Sequence, residues 1–201
     1  MNMKLFSNKK KAGMIQNLLN LKNRPDSIKA FTTFQNEISI AHNTKVVAIA
    51  AVDEDDLASA FAFALSATYE SNGSSALLVD ANLYDPKLKD MLKPNGAENG
   101  KVFPLSEKTG AVFMNKEIYP SNIYKEGVIH GFAKEGLNTF EHIIIIVPAV
   151  KFHKEVSLLS NIIDSVVLVA RRDVTKKRDI YESLQFLASE KLPVSKTVIL
   201  K

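Results

Sequence analysis

KVVAIAAVDEDDLASAFAFALSA, residues 45–67, is the stretch from which the fold is read. Val46–Ala51 is an apolar run of strand length, Val52–Asp56 a short loop, and Leu57–Ala67 a helix rich in small residues. A strand, a tight loop and a helix opening an α/β domain is where a phosphate-binding loop sits. This loop has no glycine and no lysine, and every residue after Val52 is acidic: Asp53, Glu54, Asp55, Asp56. The backbone amides at a helix N-terminus carry about half a positive elementary charge. A phosphate fills that pocket in a nucleotide-binding protein. Here the chain's own carboxylates are expected to fill it, with Asp53 as N-cap and Asp56 three residues on. Such a loop would be stable and unable to hold a triphosphate.

Outward from this stretch, 201 residues with 46% hydrophobic and 24% charged side chains describe one globular domain with an appendage. With no cysteine there are no disulfides and no thiolate metal ligands. No apolar run reaches membrane-spanning length, and the lysine-bearing N-terminus lacks the apolar core of a secretory leader, so a cytoplasmic location is expected. The net charge of +4 is modest and its lysines and arginines are scattered, which argues against nucleic acid.

Residues 1–26 read as the appendage. Lys4, Lys9, Lys10 and Lys11 precede Met14, Ile15, Leu18, Leu19 and Leu21 at helical spacing. That amphipathic helix packs on the domain or a partner, or residues 1–24 lie on an anionic membrane surface at the inner face of the plasma membrane. Residues 27–201 form the domain. Ile28, Phe31, Phe34, Ile38 and Ala41 mark one face of a helix leading into Lys45. Asn72-Gly73 closes the helix that starts at Leu57. Ala76–Asp80 is a strand apolar on both faces, and Pro86 opens a short helix ending near Lys93. Pro94–Gly110 reads as loop, followed by a small strand at Ala111–Met114. Ser121–Asn138 reads as one helix despite Gly127, Gly131 and Gly136. His142–Val147 is the most apolar strand. Val156–Ile163 is a helix, Ser165–Ala170 a strand, Thr175–Glu190 a helix with Ile180, Leu184 and Leu187 inward, and Thr197–Leu200 the last strand. This alternation predicts a three-layer α/β domain, a mainly parallel sheet with helices on both faces.

Leu77-Leu78-Val79-Asp80-Ala81-Asn82-Leu83-Tyr84-Asp85-Pro86 resembles the second Walker-type motif, L-L-I-D-x-D-x-R-x-P, of the bacterial tyrosine kinases of capsule and exopolysaccharide synthesis. Glu141–Val150 is similar to that family's D-Y-I-I-I-D-T-P-P-V. Asp164–Val169 with Thr175–Arg178 resembles its next strand and helix start, Leu192-Pro193-Val194 its approach to the last strand, and Ser27–Phe31 the helix before the first strand. The resemblance covers residues 27–200 and places the domain in the wider deviant-Walker P-loop group with the MinD/ParA proteins.

The departures from the family fall on its chemistry. The resemblance puts the phosphate-binding lysine at Asp56, the magnesium-binding hydroxyl at Leu57 and the metal-binding acid of the Walker B strand at Ile146. A lysine replaced by an aspartate reverses a charge facing a polyanion, roughly 1 kcal/mol of repulsion at about 4 Å even in bulk water. In the second motif Asp80 stays, its partner acid is Asn82 and its arginine is Tyr84. Before the first strand, Lys29, Thr32 and Gln35 stand where the family has Glu, Arg and Arg. The tyrosines are scattered at 69, 84, 119, 124 and 181. The expectation is a vestigial site, Asp53–Leu57 with Asp80 and Asn82, and no catalytic residue, cofactor or metal. The resemblance then implies a pseudokinase-like regulatory module in polysaccharide biosynthesis, its partner a membrane chain-length (co-polymerase) protein or a catalytic paralogue. Two alternatives stay open: a divergent ATPase or kinase that still binds nucleotide, and a membrane-associated positioning protein of the MinD/ParA kind.

Other chemistries find less support. Asp80 with Asn82 reads as loop or helix capping before it reads as a metal site, and the acid run lacks the spacing of a calcium loop. His42, His130, His142 and His153 have no ligand spacing, and there is no Gly-x-Ser-x-Gly elbow.

Overall fold

The computed structural model describes residues 31–38, 44–53 and 56–200. The N-terminal appendage and its amphipathic helix therefore lie outside the described residues, as do Ile28, Ala41, Glu54 and Asp55.

A seven-stranded sheet forms the middle layer. Its strands are β1 (Val46–Ala51), β2 (Ala76–Asp80), β3 (Val102–Pro104), β4 (Thr109–Val112), β5 (His142–Val147), β6 (Ser165–Arg171) and β7 (Val194–Leu200). Their spatial order is β3-β4-β2-β5-β1-β6-β7, parallel throughout except for β3, which runs antiparallel to β4. β1, β2 and β4 are buried along their whole length, and β5 and β6 nearly so, as parallel strands covered on both faces must be. That is the three-layer α/β architecture expected from the sequence.

One face carries Val47, Ile49, Leu78, Ile144, Ile146 and Val167 against α1 (Leu57–Ser71), α2 (Leu88–Leu92) and the helical residues 31–38. Phe31 and Phe34 pack on Phe61, with ring centroids 5.4 and 5.3 Å away. The other face carries Ala48, Ala50, Leu77, Val79, Ile143, Ile145 and Leu168 against α3 (Pro120–Lys125), α4 (Val128–Gly136) and α5 (Lys177–Ser189). The inward residues expected of α5 are found there: Leu187 is buried, and Ile180 and Leu184 pack against the core.

Three local expectations change. The single helix over Ser121–Asn138 is two, α3 and α4, broken at Gly127, whose φ of 76° no helix interior accommodates. Val156–Ile163 is only a single 3₁₀ turn, Glu155–Leu159. The 94–110 connection is not all loop, since β3 pairs there with β4 as a short edge strand ending in Pro104.

Candidate functional site

The C-terminal ends of the parallel strands form the edge at which open α/β sheets carry their sites. Both sequence-predicted motifs lie on it, the first loop following β1 and the second following β2.

In the first loop the backbone is tied from both sides. Val52 N–H donates to the Val169 carbonyl at 2.9 Å, and the Ala51 and Val52 carbonyls accept from Val150 (2.9 Å) and Lys151 (3.3 Å). The expected cap is not formed. The N-cap of α1 is Asp56, with no side-chain cap hydrogen bond, and the first turn of the helix holds no acid. Asp53 turns elsewhere: its Oδ1 lies 3.2 Å from the Lys151 ammonium, which lies 2.7 Å from Asp179 Oδ2 at the start of α5. A full ammonium charge 3.2 Å away outcompetes the half-charge of a helix end, so Asp53 pairs with Lys151 and does not cap α1. The two hydrogen-bonded carboxylates raise the Lys151 pKa, and the Lys151 hydrogen bond lowers that of Asp179. One lysine thus joins the first loop, the segment after β5 and the start of α5.

The second motif is a closed turn. Asp80, fully buried at the end of β2, accepts from Leu88 N–H through Oδ2 (2.9 Å) and from Asn82 N–H through Oδ1 (3.2 Å). Burial pushes its pKa up to about 7 against the opposing pull of these amides. Asn82 closes the same turn, its amide donating to the Asp85 carbonyl at 3.1 Å. The capping reading of Asp80 and Asn82 therefore describes their contacts. Asp80 is the register partner of Ile146, and Ala81 N–H donates to the Ile146 carbonyl at 2.9 Å. The structure thus brings Asp80 and Ile146 together; Ile146 is itself buried among apolar side chains facing α1. Among the described residues, no group of three or more His, Asp or Glu side chains is arranged to hold a metal ion.

Tyr84 of the second motif also belongs to a polar cluster whose other members the sequence did not reveal. The Tyr84 hydroxyl donates to Glu155 Oε1, which also accepts from Ser121 Oγ at 3.0 Å. Burial first, and then the bond to Glu155, raise the Tyr84 pKa, so the phenol stays protonated and donates. Its ring stacks on His153 at 3.7 Å. Tyr124, whose pKa burial raises well above the phenol range, donates to the Ala81 carbonyl. The only sequence signal was Tyr84 itself, an aromatic hydroxyl where the resembled motif carries arginine. Lys151 and Asp179 gave none, because their partners lie far away in sequence.

No family model matches the sequence, and no curated protein does either. Solved structures do match. The chimerical protein CapA2B2 is similar over 91% of this chain and 89% of its own, with a TM-score of 0.82 at 16% identity. The kinase domain of the Escherichia coli tyrosine kinase ETK is similar over 90% and 78%, with a TM-score of 0.81 at 12% identity. A ParA family ATPase from Chlorobium tepidum TLS is similar over 78% and 72%, with a TM-score of 0.62 at 17% identity. The chain therefore has the fold of bacterial tyrosine kinase domains, which ParA-type ATPases share more distantly.

Proposed function

We propose that this chain is a catalytically silent counterpart of the bacterial tyrosine kinase domains it is similar to, working by binding in capsular or exopolysaccharide biosynthesis. Its partner would be a membrane chain-length protein or a catalytic paralogue. The observation that carries this reading is the Asp53–Lys151 ion pair of 3.2 Å. It sets a carboxylate into the loop where nucleotide-binding relatives of the fold offer amides and a lysine to phosphate. Ile146 beside Asp80 supports the same reading, since an aliphatic side chain cannot take the place of a metal-binding acid.

The test is calorimetric titration with ATP and magnesium, repeated as a thermal-shift assay. The expected result is no saturable heat and no rise in melting temperature. Saturable micromolar binding would overturn the reading and favour the divergent ATPase or kinase instead.

Among the described residues no helix is long and apolar enough to cross a membrane. Residues 1–24 are proposed as the surface contact, attracted electrostatically through their lysines. Sedimentation with anionic liposomes tests this, the full chain pelleting and a chain lacking residues 1–24 staying in solution. Equal pelleting of the two would remove the anchor.

A further inference from the structure

Three Asn-Gly dipeptides occur in the chain, at 72–73, 95–96 and 99–100. Each glycine has the positive φ of a turn: 90°, 77° and 69°. This dipeptide is chemically labile. The glycine amide nitrogen, losing its proton, attacks the asparagine Cγ; the Cγ–Nδ2 bond breaks and ammonia leaves, closing a succinimide. Water then opens the ring at either carbonyl, leaving an aspartate or its β-linked isomer. The reaction needs a free attacking N–H and an amide side chain able to swing over the backbone.

Two of the three sites are locked on both counts. At the end of α1, Gly73 N–H donates to the Glu70 carbonyl at 3.0 Å, and the Asn72 amide donates to Gln35 Oε1 at 2.6 Å. Beside β4, Gly100 N–H donates to the Phe113 carbonyl at 2.9 Å, and Asn99 Oδ1 accepts from Asn115 N–H at 2.7 Å. The third is open. Asn95 and Gly96 are both exposed, and among the described residues neither the Asn95 side chain nor the Gly96 N–H has a hydrogen-bond partner.

We infer that Asn95 is a site of spontaneous, water-driven modification in the folded protein, converting to a carboxylate or a β-linked aspartate while Asn72 and Asn99 are protected. The segment carrying it joins α2 to β3, at the same sheet edge as Asp80. Conversion would therefore add a negative charge, and in its β-linked form an extra backbone methylene, on that edge. The inference does not depend on the proposed function.

Full-length chain incubated at mildly alkaline pH and mapped by peptide mass spectrometry tests it, with a parallel sample held in urea. In the folded sample Asn95 should convert about tenfold faster than Asn72 or Asn99, because two hydrogen bonds must first break at each of those sites. In urea the three rates should converge. Conversion of Asn72 or Asn99 as fast as Asn95 in the folded sample would overturn the inference. So would no conversion at Asn95, or an ordering that persists in urea and so reflects local sequence rather than the fold.

Discussion

The Lys151 ammonium lies 2.7 Å from the Asp179 carboxylate, joining the segment after β5 to the first turn of α5. The same nitrogen reaches Asp53, so one cation holds two anions that would otherwise repel each other. Lys151→Ala should lower the melting temperature at neutral pH, and added salt should narrow the gap to the parent, since the lysine is partly solvated. The sign with pH follows from the two shifts. The folded pKa of Asp179 lies below 3.8, so its contribution is present above that value and is lost as pH falls through the folded pKa. That of Lys151 lies above 10.5, so its contribution is present below that value and is lost as pH rises through the folded pKa. Melting curves for parent and variant should thus differ most at neutral pH and converge at both extremes. A gap that stays constant into strong acid would remove the ion pair as its cause.

Asp80 works in the opposite sense. Between 3.8 and about 7 the unfolded chain has released this proton and the folded chain keeps it, so stability falls as pH rises through that window. The full effect is at most on the order of 4 kcal/mol. Asp80→Asn removes the titration, so the variant should gain on the parent steadily from mildly acidic to neutral pH. Whatever fixed offset the substitution brings, a difference that does not change with pH would mean that Asp80 is ionised throughout.

Tyr84→Phe keeps the ring stacked on His153 and deletes only the hydroxyl that donates to Glu155. Glu155 Oε1 is then left with Ser121, and its Oε2 is already buried with no partner among the described residues. A loss of about 1–3 kcal/mol is expected in urea unfolding, the cost of leaving a partly buried carboxylate less well satisfied. An unchanged midpoint would show that the bond contributes nothing net.

Gly136 lets α4 sit directly on the sheet. A Cβ there would come within 2.7 Å of Ile143 Cδ1 and 2.8 Å of Leu77 Cδ2, both core side chains. Gly136→Ala should destabilise by about 1–3 kcal/mol through overpacking, despite the roughly 1 kcal/mol that alanine gains in helix propensity. A stabilised variant would mean that the two side chains give way freely.

The layers were legible because they follow from periodicity. Val46–Ala51 and Ile143–Val147 are apolar at every position, and helices of amphipathic pattern lie between such strands. Errors collected where one residue overrides a pattern, as at Gly127, or where a strand is too short to show any period, as at Val102–Pro104. Each motif follows a parallel strand, which by itself puts it at the C-terminal edge of the sheet, yet the fate of Asp53 was misread. Its partner lies 98 residues away, and local capping rules see only the next turn. The Tyr84–Glu155–Ser121 cluster escaped for the same reason, being assembled from three separate connections.

The central strand β5 divides β1 from β2, and β6 flanks β1 on its other side. Both neighbours of β1 are therefore translated about a hundred residues after it. During synthesis the first half of the chain offers β1 no native neighbour: this wholly apolar strand must wait unpaired until Val147 has left the ribosome, and gains its second neighbour only when Arg171 has followed. Such an interval favours slow, late closure of the sheet and exposure to chaperones, a burden set by topology and not by the strength of any contact in the finished protein.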